Sequence, residues 1–168
     1  KEYRHARATV LNAHYTPPVV IKAMYVALDR LGFKGGHVLE PACGLGHFFG
    51  LMPEDMRSRS RLTGIEIDPL TARFAAMLYP DAEIRAQPFE EATLPTNQFD
   101  VAISNVPFGD YSPFDPRHNP HKFRIHDYFF GASLARVRPG GLVLFITSAG
   151  TLDIVNTLPL EMSAQDVD

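Results

Sequence analysis

Two stretches of this 168-residue sequence hold residue types whose order can do chemistry. In the first, Val38, Leu39, Glu40, Pro41, Ala42, Cys43, Gly44, Leu45 and Gly46 place a short apolar run directly before a Gly-x-Gly turn that opens a helical segment. Glycines there let the backbone approach a ligand closely and leave helix N–H groups pointing at it. Twenty residues after Gly46 comes Glu66, at the end of a second apolar run, where a carboxylate can accept both hydroxyls of a ribose. Gly50 falls one residue later than the third glycine of a G-x-G-x-x-G fingerprint, which weakens a dinucleotide reading. A lone glycine pair is also what any tight strand-to-helix turn needs, but strand, glycines and spaced acid together point to an adenosine-bearing cofactor. In the second stretch, Asn105, Val106, Pro107 and Phe108 follow the apolar run Val101–Ser104. The side-chain oxygen of Asn105 and the backbone carbonyl of Val106 offer two acceptors for the two N–H groups of an exocyclic amine. By itself, Asn105 ahead of Pro107 also reads as a turn former.

The two stretches in this order resemble a family. Asn-x-Pro-Phe after a strand, downstream of Glu-Pro-x-Cys-Gly-x-Gly, is similar to the signature of amino-methyltransferases that use S-adenosylmethionine, chiefly DNA adenine-N6 methyltransferases. The resemblance extends from about Asn12 to Ser148, and is nearest to methyltransferase domains fused to helicase-like segments in bacterial mobile elements. It implies S-adenosyl-L-methionine as cofactor and DNA methylation of the restriction-modification kind. His14, Tyr15, Thr16 and Pro17 are similar to the element that contacts the methionine end of the cofactor. The implied cofactor-binding positions are Tyr15, Thr16, Glu40, Pro41, Ala42, Cys43, Gly44, Gly46, Glu66, Ile67, Gln87 and Phe89, and the implied catalytic ones are Asn105, Val106, Pro107 and Phe108. The adenine amine is a poor nucleophile because its lone pair is delocalised into the ring, and two acceptors would favour a pyramidal nitrogen facing the methyl. Phe108 is expected to stack on the base and Pro107 to stiffen the loop. Val106 departs from the commoner Asn-Pro-Pro-Phe, and Gln87 stands where the family often has Asp. Cytosine N4, RNA and a protein glutamine amide are alternative acceptors, and an inactive cofactor-binding or interaction module is the reading from another class.

Positioning these stretches requires alternating strands and helices. The pattern predicts strands over His37–Leu39, Leu62–Ile67, Glu83–Gln87, Val101–Ser104 and Leu142–Thr147, the last an unbroken apolar run expected to be buried on both faces. Helices are predicted over Pro17–Leu31, Gly46–Leu51, Pro69–Leu78 and His126–Val137, with Pro139, Gly140 and Gly141 as a turn before the fifth strand. The expected fold is α/β, a doubly wound, Rossmann-like class I methyltransferase fold with a parallel sheet ordered 3-2-1-4-5 and lacking the family's terminal strand hairpin. Residues 1–150 form the catalytic domain in this reading and 151–168 an acidic, frayed tail. The fifth strand becomes an apolar edge that invites a partner or a homodimer. Sequence-specific methylation is expected to need a target-recognition region or partner chain outside this sequence.

Composition narrows the partners. Hydrophobic residues make up 45% of the chain, enough for one packed core, and 16 Lys plus Arg against 19 Asp plus Glu give a formal charge of −3. Six basic and two acidic residues put +4 on positions 1–35, where Lys1, Arg4, His5 and Arg7 offer either a solvated end or a phosphate-binding arm. The single cysteine, Cys43, excludes an intramolecular disulfide, and no apolar run approaches a membrane span, so a cytoplasmic location without membrane contact is expected. His118, His121 and His126 lack the spaced carboxylates of a metal site, and none is expected. They lie in or beside residues 109–125, a proline-rich segment without apolar period that carries Arg117, Lys122 and Arg124 among Tyr111, Phe114 and Phe123. That segment reads either as an ordinary polar lid or as a loop touching phosphates near a flipped base.

Overall fold

The computed structural model describes residues 16–147. Helix α1 (Pro18–Arg30) starts with prolines, where a missing N–H costs nothing, and turns Ile21, Tyr25 and Leu28 inward at intervals of three and four. Strand β1 (His37–Glu40) leads into the short helices α2 (His47–Leu51) and α3 (Glu54–Arg57) and then β2 (Arg61–Glu66). Helix α4 (Pro69–Leu78) is capped by Asp68, whose carboxylate accepts from the Thr71 N–H at 2.8 Å, and returns the chain to β3 (Glu83–Ala86). A 3-10 turn over Phe89–Glu91 precedes β4 (Phe99–Asn105), helix α5 (Ile125–Leu134) and β5 (Val137–Ile146).

All four strand pairings are parallel and the order is β3-β2-β1-β4-β5, as the alternation predicts. Reversal of direction between β1 and β4 leaves a crevice at their carboxyl ends, where ligands of open α/β sheets bind. Side chains of α1, α2 and α3 cover one face of the sheet around Val38, Leu62, Val101 and Ile103. The other face is sealed by α5, with Leu39, Ile65, Ala102 and Val106 against Tyr128, Phe129 and Ala132. Arg136, 2% exposed, sits at this second face with its guanidinium over the Phe89 ring, 4.9 Å from the centroid.

Several expectations need correction. The fifth strand is not buried on both faces: its residues 141–146 are only half-buried, because β5 is last in the strand order among the described residues, whereas β1 and β4 are enclosed on both sides. Pro139, Gly140 and Gly141 lie inside β5 rather than in a turn ahead of it, since Val137 already pairs with Phe99 and the ladder shifts register before resuming at Val101 and Leu142. Helix α5 accordingly stops at Leu134, short of the expected Val137. The helix Glu54–Arg57 and the 3-10 turn carry no periodic signal and were not expected. The expected acidic tail, Tyr15 and the basic N-terminus lie outside the described residues.

Asp100 holds the amino ends of three strands together. One carboxylate oxygen accepts from the His37 N–H of β1 at 2.7 Å and the other from Arg138 Nε of β5 at 2.6 Å. Burial alone raises its pKa, but these hydrogen bonds and the Arg138 charge outweigh burial and hold it below the usual carboxylate value. A depressed folded-state pKa contributes stability above the unfolded value, about 3.9, that is lost as pH falls through the folded one. Asp100→Ala is therefore expected to cost about 2 kcal/mol in urea unfolding at pH 7. Below pH 4 the gap between variant and parent should narrow; a gap that is constant from pH 7 to pH 3 would show that the charge is immaterial.

Candidate active site

The carboxyl ends of β1, β2 and β4 meet in one place. After Glu40 the chain turns through Gly44 and Gly46, whose φ values of 53° and 79° lie in the left-handed region that glycine adopts without strain. Gly46 donates to the Cys43 carbonyl at 2.8 Å, and Cys43 donates to Ile65 of β2 at 2.9 Å. A Cβ on Gly44 would meet open space, so the turn presents bare backbone to the crevice. A Cβ on Gly46 would strike the Tyr79 ring at 2.5 Å, and one on Gly50 would collide with the Tyr79 hydroxyl. Tyr79, at the end of α4, thus packs into the concave surface left by both glycines, with Phe49 edge-on at 6.0 Å. That contact accounts for a glycine at position 50, one place late for a dinucleotide fingerprint, and sequence reading missed Tyr79 because the partner lies 29 to 33 residues away.

Glu66 closes the turn. Its two oxygens accept from the Gly44 N–H at 2.9 Å and the Asp68 N–H at 2.8 Å. A carboxylate has about four acceptor positions, so two backbone bonds leave capacity for two ligand hydroxyls. Burial pushes its pKa up, against the N–H groups that favour the charged form. Glu40 is 1% exposed, and its Oε2 has no hydrogen-bond partner among the described residues. Burial, reinforced by the nearby Glu66 charge, raises the Glu40 carboxyl well above its ordinary range. A buried acceptor without a partner is costly, and here it awaits a donor. Cys43 lies between them, 4% exposed; burial and then the charges of Glu40 and Glu66 push its thiol pKa up. The acceptor set therefore fits a ligand with vicinal hydroxyls and a cationic group: two acidic side chains beside the open backbone of Gly44.

The Asn105 corner adjoins this turn directly. Ser104, fully buried, donates its hydroxyl to the Ala42 carbonyl at 3.3 Å, tying the last turn of β4 to the glycine segment. Val106 donates its N–H to the Ile146 carbonyl of β5 at 3.2 Å, and its side chain is buried. Pro107 restricts Val106 to extended backbone and contributes no N–H of its own. Asn105 is half-buried with its Oδ1 shielded from solvent, and Phe108 is 46% exposed. Pro41 is buried, Ala42 and Thr16 are half-buried, and Tyr15 lies outside the described residues. At the end of β2, Ile67 is 66% exposed beside Glu66, an apolar side chain at the mouth of the crevice. Gln87 donates its N–H to the Glu66 carbonyl at 2.9 Å, which brings β3 to the same end. Phe89 differs from the rest: it is 2% exposed, with Phe129 at 5.0 Å and Arg136 over its ring, so it belongs to the wall behind the crevice.

Residues 39–116 match a family model described as a methyltransferase domain. Among curated relatives, the chain is 26% identical over 140 residues to the "Defense against restriction protein B" of Escherichia phage P1, covering 81% of the chain and 6% of that protein. It is 31% identical over 152 residues to the type II methyltransferase M.TthHB8I of Thermus thermophilus, covering 80% of the chain and 34% of the relative. Identity is 25% over 145 residues to the rRNA N(6)-adenosine-methyltransferase metl-5 of Caenorhabditis elegans, covering 82% and 63%. The chain thus spans less than two thirds of each of these relatives. Of solved structures, the DhpI-SAM-HEP complex superposes with a TM-score of 0.52 at 25% identity, covering 95% of this chain and 70% of that one. On its sheet order and its likeness to these structures, the chain has the Rossmann-like fold of S-adenosylmethionine-dependent methyltransferases, and its acidic, glycine-lined crevice fits that cofactor.

Proposed function

We propose that the chain methylates an exocyclic amine, adenine N6 of DNA, at the Asn105 corner. The observation that carries this reading is the Ser104-to-Ala42 hydrogen bond, because it fixes the residue before Asn105 against the turn that holds the cofactor. S-adenosylmethionine, when bound, supplies a methyl made electrophilic by its sulfonium. Glu66, with acceptor capacity left beside the Gly44 N–H, would hold the ribose; the bare backbone of Gly44 and the exposed side chain of Ile67 would line the adenosine. Glu40 offers its unpartnered oxygen to the methionine ammonium. Tyr15, Thr16, Pro41, Ala42, Cys43, Gly46, Gln87 and Phe89 complete the surroundings.

The Asn105 side-chain oxygen and the Val106 carbonyl accept hydrogen bonds from the two N–H groups of the amine. Holding both N–H groups off the ring plane favours a lone pair aimed at the methyl. Positioning of this kind, with acceptors already oriented, replaces the need for a strongly shifted general base. Pro107 and the Val106-to-Ile146 hydrogen bond keep that peptide from rotating. Phe108, half in solvent, stacks on the target base. The likeness to an rRNA N(6)-adenosine-methyltransferase favours RNA as the second reading, with the same amine and the same corner.

Three measurements test the assignment. Asn105→Ala should reduce tritiated-methyl transfer to adenine-containing DNA at least about a hundredfold while calorimetry shows S-adenosylmethionine binding little changed. Glu66→Ala should do the reverse in the binding assay, weakening cofactor affinity by about tenfold or more, since hydrogen bonds to a charged group are lost. Parity of Asn105→Ala with the parent in transfer refutes the amine-holding role. Glu40 gives a pH signature: with its folded-state pKa raised above the unfolded one, its contribution is full below about pH 4.5 and is lost as pH rises from there through the raised folded-state value. Glu40→Gln removes that loss, so its thermal midpoint at pH 7 should exceed the parent's while cofactor affinity falls. A lower midpoint at pH 7 would contradict the buried-charge argument.

A further inference from the structure

The segment between β4 and α5 has neither helix nor strand, yet it is built. Its ends are bridged by the Ile125 N–H donating to the Tyr111 carbonyl at 2.9 Å, which makes residues 111–125 a closed loop. Two buried polar side chains take the place of an apolar core. Asp115, 3% exposed, accepts from the N–H groups of Arg117 and His118 at 3.0 and 3.2 Å, from His118 Nδ1 at 3.0 Å and from the Tyr128 hydroxyl of α5 at 2.9 Å. Asn119, 4% exposed, donates to Ser112 Oγ and to the carbonyls of Pro113 and Phe123, and accepts from the Phe123 N–H at 2.7 Å. This network holds Lys122 at a φ of 54°, a left-handed conformation unusual for a side-chain-bearing residue.

What the loop presents is unlike what holds it. Phe114 stands between buried Pro113 and buried Asp115, and at 87% it is the most exposed large apolar side chain among the described residues. Anchored on both sides, it has no route into the core. Tyr111, 59% exposed, and Phe108 precede it at intervals of three residues, leading back to Asn105. The loop's acids are engaged from within, Asp115 buried among its four donors and Asp110 facing Arg124 at 3.1 Å, while Arg117 and Lys122 face solvent. An aromatic ring with cations beside it is complementary to a strand of phosphates and unstacked bases.

We infer that Phe114 is a stacking wedge of a preformed loop: it packs against a base neighbouring the one delivered to Asn105, while Arg117 and Lys122 take the flanking phosphates. This inference rests on the reading that the acceptor is an adenine in a nucleic-acid strand, and adds where the strand runs. A base drawn out of its stack leaves a gap, and a rigid ring that fills it lowers the cost of extrusion.

The test uses the full chain, fluorescein-labelled single-stranded DNA and RNA 20-mers containing adenine, and methyl transfer measured in parallel. Phe114→Ala should weaken binding of the preferred oligonucleotide roughly tenfold, and Phe114→Trp should keep it. S-adenosylmethionine affinity and the thermal midpoint should stay unchanged, because the ring touches neither cofactor nor core. Lys122→Ala should reduce the slope of log affinity against log salt by about one phosphate contact, ~0.7 for a single strand. If the parent methylates adenine and Phe114→Ala binds and methylates as well as the parent, the loop inference fails alone. If the parent binds cofactor but neither oligonucleotide is bound or methylated, the adenine reading fails and takes this inference with it.

Discussion

The site depends on the carboxylate of Glu66, which ties two separate turns to one group. One oxygen fixes the Gly44 amide and the other the Asp68 amide, so the glycine turn after β1 and the cap of α4 share one anchor. Two left-handed glycines form a loop with little intrinsic preference for one shape; a charged acceptor with two backbone donors supplies that preference. The same group sets the charge of the crevice. With Glu40 buried beside it, two acids face the same crevice, an arrangement suited to a cation.

Tension between stability and binding follows from this. Among the described residues the Oε2 of Glu40 has no hydrogen-bond partner, and burial penalises its charge. A sequence selected for stability alone would not place a carboxyl there. Asp100, at the opposite end of the strands, shows the contrast: it is an acid whose partners, His37 N–H and Arg138, are all supplied by the fold. One carboxylate stabilises the fold and the other is held ready for a ligand.

Periodicity made the sheet legible, because parallel strands with crossover helices admit few orders once a glycine turn marks the first strand. The turn could be read where its pattern is local: Gly44 and Gly46 take left-handed φ values and Glu66 accepts from the Gly44 N–H. Features created by distant contacts could not. Gly50 looks misplaced until Tyr79 is seen against it, and the packing of Phe89 against Phe129 and Arg136 joins residues too far apart in sequence to be paired by pattern. The run Leu142–Ile146 is apolar enough for a central strand, but its position last in the order leaves it half-buried, a matter of topology that composition does not encode. Residues 109–125 read as a lid because polar side chains ordinarily seek water; Asp115 and Asn119 instead turn inward and act as a core.

Cys43 has a use that follows from its surroundings. Alkylating reagents and oxidants attack the thiolate, and burial together with Glu40 and Glu66 keeps this sulfur protonated. Its neighbour across the sheet, Gly64, has a backbone so near that a Cβ there would lie 2.9 Å from the Cys43 sulfur. Reagents gain access only when the β1–β2 crevice breathes, so the rate of iodoacetamide labelling at this lone thiol becomes a clock for local opening of the turn, slowed by whatever seats itself over it.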